Sequence, residues 1–251
     1  MNSLQIFKKE LLQQSEALKI VADKVEPSIE RIINEIYSCK GKVIVTGMGK
    51  TGIIGRKIAA TLSSTGTIAI FLHAAEGIHG DLGIIDKEDI IIAISNSGST
   101  PELISIIPYF KLNKNKIIAL TGNMSSKLAT SSDFVIDCSI PENYDPFGLV
   151  PTASTTVALA IGDAIAVALL KKRNFEISDF ALFHPGGTIG KKMLLKVEDL
   201  MHSNKKNPTV NISSTMKKAI LEMTSKGLGC TNVVENKKLV GIITDGDLRR
   251  L

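Results

Sequence analysis

The sequence predicts an α/β fold: a doubly wound, five-stranded parallel sheet flanked by helices, followed by a smaller α/β module. Three observations point there. Short Ile/Val-rich runs recur at 43–46, 67–72, 89–94, 116–120 and 134–138, with the continuous apolar character of strands buried on both faces. Helical stretches separate these runs, and strand–helix alternation produces parallel sheets. With 251 residues, 44% apolar and 22% charged, the chain can form one large core and a second, smaller one.

The elements follow in order. Residues 4–36 place Leu4, Phe7, Leu11, Leu18, Val21, Val25, Ile29, Ile32 and Ile36 on one apolar stripe, so this segment is one long helix or two joined near Pro27. Five strands and their helices come next, and every polar loop of interest lies at the carboxyl end of a strand. The run "STTVALAIGDAIAVALLKKR", 154–173, is nearly apolar all round up to a basic end. That pattern predicts a helix buried in the domain or in a subunit interface, its lysines facing the negative end of the dipole. After "HPGG" (184–187) the texture becomes a linker, with the boundary placed near 190–196. The second module shows a helical segment at 215–226 and strands near 231–235 and 239–244.

Composition excludes several classes. No apolar run approaches the roughly 18 residues that cross a bilayer, and the charged "MNSLQIFKKELLQQ" is unlike a secretory signal. Cys39, Cys138 and Cys230 are far apart and form no CxxC pair, which argues for a reducing compartment without disulfide framework or thiolate zinc site. The net charge is +5, but only 4% of residues are aromatic and none is Trp. Scattered lysines without stacking residues do not make a nucleic-acid surface. The expectation is a cytoplasmic protein, not bound to membrane or nucleic acid, whose ligands are small anions.

The loop "VTGMGKTG", 45–52, has Gly47-x-Gly49-x-x-Gly52 spacing. A P-loop would need glycine where Ile44 stands. A dinucleotide site would need an acidic residue at the end of the next strand, which instead ends in His73 and Ala74. Lys50 opens the following helix, where the positive dipole end disfavours a cation unless an anion is bound. "SNSGST", 95–100, precedes the helix beginning "PELISII". One hydroxyl would suffice as a cap, so the surplus favours phosphate. Glu102 follows within the first helical turn. "AAEGIHGDLG", 74–83, adds Glu76, His79 and Asp81, and "FHPGG" adds His184. Lysine, glutamate and two histidines around a phosphate loop suit proton transfer. His73 and His202 read as structural.

These segments, with "PTASTTVALAIGDAIAVALL" and "FALFHPGGTIGKK", resemble the sugar isomerase (SIS) domain, and more closely the D-arabinose 5-phosphate isomerases. The tail "VEDLM…LVGIITDGDLRRL" resembles a CBS motif. The resemblance implies a SIS domain over 1–192 and a partial βαββ CBS module over 197–251. It implies interconversion of D-ribulose 5-phosphate and D-arabinose 5-phosphate, feeding Kdo for lipopolysaccharide, in a homotetramer. No cofactor or metal is implied, since a lysine can supply the charge a metal would. By the same likeness Ser95, Ser97, Gly98 and Thr100 grip the phosphate, joined by Gly49, Thr51, Thr152 and Ser154 in lining the pocket. Lys50, His79, Glu102 and His184 stand at the family's catalytic positions, with Glu102 as base, Lys50 stabilising the enediolate and the histidines in ring opening or oxygen-to-oxygen transfer. One departure is Asp145-Pro146, where many relatives have Cys-Pro. Thr244 and Asp247 have the spacing such modules use around a nucleotide ribose. CBS motifs work in pairs, so an incomplete module is expected, with a folding or assembly role.

Two other readings stay open: an isomerase for another phosphosugar, and a non-catalytic phosphosugar sensor. A dehydrogenase is weakened by the missing ribose carboxylate. His184 could complete a neighbouring subunit's site.

Overall fold

The computed structural model describes residues 1–187, 190–192 and 195–250. The chain divides into two compact units, Met1–Lys191 and Lys192–Leu251. The sequence-based boundary near 190–196 spans residues 193 and 194, outside the described ones.

Two helices open the first unit, α1 (Ser3–Lys24) and α2 (Ile29–Tyr37), so the apolar stripe is broken beside Pro27. α1 starts on a capping box in which Asn2 and Gln5 satisfy each other's backbone N–H groups. Then come β1 (Val43–Gly47), α3 (Gly49–Ser64), β2 (Ala69–His73), α4 (Ala74–Ile78), β3 (Ile90–Ile94) and α5 (Pro101–Leu112). They are followed by β4 (Lys116–Thr121), α6 (Lys127–Ser131), β5 (Phe134–Asp137), α7 (Ala153–Lys172) and α8 (Ile177–Phe183). The strands make one parallel sheet in the order β2-β1-β3-β4-β5.

Alternation along the strands builds two cores. Val43, Val45, Ile90, Ile92, Ile118 and Leu120 pack with residues of α1, α2, α3 and α7 on one face. Ile44, Ile91, Ala93, Ile117 and Ala119 pack with Leu103, Ile106, Ile107 and Phe110 of α5 and Leu128 of α6 on the other. The helix leaving β1 therefore covers one face and the helix leaving β3 covers the opposite face. Between these adjacent strands the chain switches direction, and in open parallel sheets a ligand crevice forms at the carboxyl ends there.

α7 corrects one expectation. Among the described residues it is the one helix long and apolar enough to cross a membrane by length and composition. It is buried instead along Val157, Ala158, Gly162, Ile165, Ala166 and Leu169. A Cβ on Gly162 would collide with the side chain of Ile58 of α3, so only glycine allows the two helices to approach this closely.

The second unit is a three-stranded sheet in the order β6-β7-β8. β6 (Thr209–Asn211) runs parallel to β7 (Cys230–Glu235), and β8 (Lys238–Thr244) runs antiparallel to it. The helix Met216–Lys226 joins β6 to β7 and stops at Gly227, whose φ of +67° suits glycine. Thr244 and Asp247 bond each other in a capping box, and these bonds hold the Asp247 carboxyl below its ordinary range.

Candidate active site

The rim of the crevice is made by the turns after β1 and β3. Gly47 is paired with Ile94, and a Cβ on it would come within 3.1 Å of the Ile94 carbonyl oxygen. The two turns therefore begin side by side. Gly49 starts α3 at φ +56° with open space around its Cα. Thr51 donates its hydroxyl to the Met48 carbonyl at 2.6 Å, which commits that proton to the turn. Lys50 is exposed and makes no ion pair among the described residues.

The 95–100 turn divides into a buried floor and an exposed lip. Ser95 is buried. Its Oγ lies 2.8 Å from Thr100 Oγ1 and accepts the Gly98 N–H at 3.1 Å. Gly98 has φ +63°, and a Cβ there would overlap Ser126 Oγ, so no other residue fits. Ser97 and Ser99 are exposed, with the Ser99 N–H and hydroxyl both directed at Ser97 Oγ. Thr100 stands at the N-cap of α5, yet its side chain makes no capping bond. Its hydroxyl faces Ser95 instead. The first free N–H groups of α5 thus have no side-chain cap among the described residues, and a helix start of that kind is chemically suited to an anion.

Glu102 lies half-buried in the first turn of α5. His79 is the exposed residue closing α4, and its loop leans on α5: Tyr109 donates its hydroxyl to the Leu82 carbonyl at 3.1 Å. The loops bearing Lys50, His79 and Glu102 all leave the carboxyl edge of the sheet. No hydrogen bond or ion pair joins the three side chains among the described residues.

His184 is elsewhere. It ends α8, its Nδ1 2.9 Å from the Phe180 carbonyl and its ring stacked on Phe180 at 3.9 Å. The neighbouring Phe183 stacks on Phe175, and Phe175 packs over Gly66. Arg173 donates to the Thr67 hydroxyl at 3.1 Å. Residues 66 and 67 precede β2, so the contacts made by Phe175 and Arg173, next to α8, lie at the amino edge of the sheet, opposite the crevice.

Thr152 and Ser154, at the start of α7, both donate to Asp145. Sequence reasoning noted Asp145 only as a departure; the single signal was a carboxylate shortly before a long helix. His73, read as structural, buries its Nδ1 without a partner among the described residues, as Thr46 buries its hydroxyl.

Comparisons with known proteins agree with this architecture. Residues 35–168 match the SIS domain and 197–251 the CBS domain. The chain is 51% identical over 212 residues to the arabinose 5-phosphate isomerase KdsD of Pseudomonas aeruginosa, spanning 84% of this chain and 65% of that protein. It is 45% identical to the enzyme of the same name from Francisella tularensis, over 100% of this chain and 76% of the relative. The structure of E. coli CFT073 c3406, solved in complex with arabinose 5-phosphate, superimposes with a TM-score of 0.71 at 40% identity, over 74% of this chain and all of that one. The matched SIS domain and these relatives show that the chain belongs to the SIS-domain arabinose 5-phosphate isomerase family.

Proposed function

We propose that the protein interconverts D-ribulose 5-phosphate and D-arabinose 5-phosphate through an enediol, its SIS domain over 1–192 holding the site and 197–251 forming a CBS module. The observation that carries this reading is the uncapped N-terminus of α5, ringed by hydroxyls at the topological switch point, with Glu102 in its first turn. Phosphate bound there sets the sugar chain beside Glu102.

Glu102 takes the proton alpha to the carbonyl and returns it to the neighbouring carbon. Lys50 supplies positive charge to the enediolate oxygen, where an ammonium stabilises developing negative charge. His79 positions the sugar or shares proton transfer between oxygens. His184, at the end of α8, serves the crevice of a second subunit. A homotetramer in the cytoplasm accommodates this, and the exposed Leu4, Phe7, Leu11 and Leu12 of α1 and Phe183 of α8 offer apolar surface for it.

Proton NMR of the purified protein with ribulose 5-phosphate in D2O, without added metal or cofactor, tests the reading. Appearance of arabinose 5-phosphate is the expected result, and deuterium at C2 measures exchange of the proton on the base. Phosphate-dependent thermal stabilisation without turnover would replace the isomerase by a phosphosugar sensor.

A further inference from the structure

One polar atom beneath the 95–100 turn is left over. Thr46 is fully buried, and its Oγ1 makes no hydrogen bond among the described residues. An orphaned buried hydroxyl costs stability, and a methyl group in its place would not. Its position in the sheet supplies a reason for keeping it.

Thr46 is level with Ala93 of β3. Alternation from Ile44 puts its side chain on the α5 face of the sheet, the face of Ala93 and Leu103. The ladder runs on past β3, since the Ser95 N–H donates to the Leu120 carbonyl at 3.0 Å. Ser95, two residues beyond Ala93, therefore shares that face. Its Cα lies roughly 8 Å from that of Thr46, diagonally across one strand spacing. Both side chains are buried.

Proton counting links the pair. A hydroxyl has one proton and two lone pairs. Ser95 Oγ accepts the Gly98 N–H and shares one hydroxyl proton with Thr100 Oγ1. When an anion draws the Thr100 proton outward, Ser95 donates to Thr100, and one lone pair on Ser95 Oγ is left to fill. Thr46 has an uncommitted proton on the same face.

We propose that Thr46 is a positioning residue for the 95–100 turn. On binding, its side chain rotates to complete a series in which Thr46 donates to Ser95, Ser95 to Thr100 and Thr100 to phosphate. Donation in series polarises each bond and strengthens the last. The proposal rests on the phosphosugar reading above, and its test separates the two.

Thr46→Val replaces the hydroxyl by a methyl group of nearly the same shape. Calorimetry on the full chain with inorganic phosphate, and steady-state kinetics with arabinose 5-phosphate, read the effect. The expected result is about five- to tenfold weaker phosphate binding and a matching rise in KM, the worth of one hydrogen bond. kcat is retained and Tm is equal or higher. Thr46→Ser is expected to restore affinity. In a Ser95→Ala background Thr46→Val is expected to add nothing, because the series is already cut. Thr46→Ala carries the test if the valine variant does not fold. Phosphate affinity within about twofold of wild type overturns the proposal. So does a loss that serine does not restore, or one that adds in full to Ser95→Ala. Wild-type protein that shows these phosphate effects without turnover sinks the isomerase and leaves the role of Thr46 standing. Wild-type protein that binds neither probe overturns both.

Discussion

Ser95 and Thr100 face each other with their hydroxyl oxygens 2.8 Å apart, and that contact leaves the N-terminus of α5 without a side-chain cap. The pair is a brace for the 95–100 turn. Replacing Ser95 by alanine removes one of the two acceptors of the Gly98 N–H, leaving the Ser95 carbonyl, and lets Thr100 rotate back towards the helix, where it would compete with phosphate. We expect Ser95→Ala to raise KM for the sugar phosphate severalfold with kcat nearly intact, since the lost interaction holds substrate and transition state alike. Steady-state kinetics over a range of substrate concentrations checks this.

Gly98 tolerates no side chain. With φ at +63° and Ser126 Oγ occupying the place of the missing Cβ, Gly98→Ala forces the turn or Ser126 to move. The expected cost is about 1–3 kcal/mol, read from urea unfolding, together with loss of thermal stabilisation by inorganic phosphate. A variant that is destabilised but still protected by phosphate would place the anion elsewhere.

Glu102→Gln keeps size and hydrogen bonding but cannot take a proton. We expect kcat to fall on the order of 100-fold or more with Tm unchanged. Near-normal kcat would remove Glu102 as the base.

His184 lends itself to complementation. Glu102→Gln and His184→Ala are each expected to be nearly inactive as pure oligomers. Subunits mixed under reversible dissociation should regain part of the wild-type rate, because some crevices would draw an intact residue from each chain. No recovery in verified hetero-oligomers would return His184 to its own chain's chemistry.

Cys138 provides a probe of the core. Burial pushes its thiol up to about 12, so it stays protonated at about pH 8 while an exposed thiol is partly ionised. A thiolate-specific reagent at that pH should leave Cys138 unmodified in the native protein and label it on denaturation. Because the folded value is raised, this group's contribution favours the native state below about pH 8.5 and is lost as pH rises above that. Denaturant midpoints at about pH 7 and about pH 10, either side of the unfolded value, read the difference.

Much of this was legible in the chain because the relevant physics is local. The strands at 43–47 and 90–94 are dominated by β-branched residues, and all five predicted strands lie within two residues of the observed ends. Gly47, Gly49 and Gly98 announce tight turns, and "SNSGST" before a proline announces a helix start. The short strand β6, Thr209–Asn211, carried no such signal, since three residues of alternating polarity do not form a pattern. Asp145 was visible only as an odd residue, because its partners lie seven and nine positions away along a loop whose path periodicity does not describe.

By itself the sequence determined the α/β class, the order of strands and helices in the first unit, and the family. Each of these depends on residue type and near-neighbour spacing. Only the tertiary structure decided that β1 and β3 are adjacent with their helices on opposite faces, which creates the crevice. It alone set the segment leading into α8 against the residues that precede β2, and it alone turned the Thr152 and Ser154 hydroxyls towards Asp145. Those outcomes depend on strand order and on where loops close in space, and contacts between distant segments form only when the whole core packs.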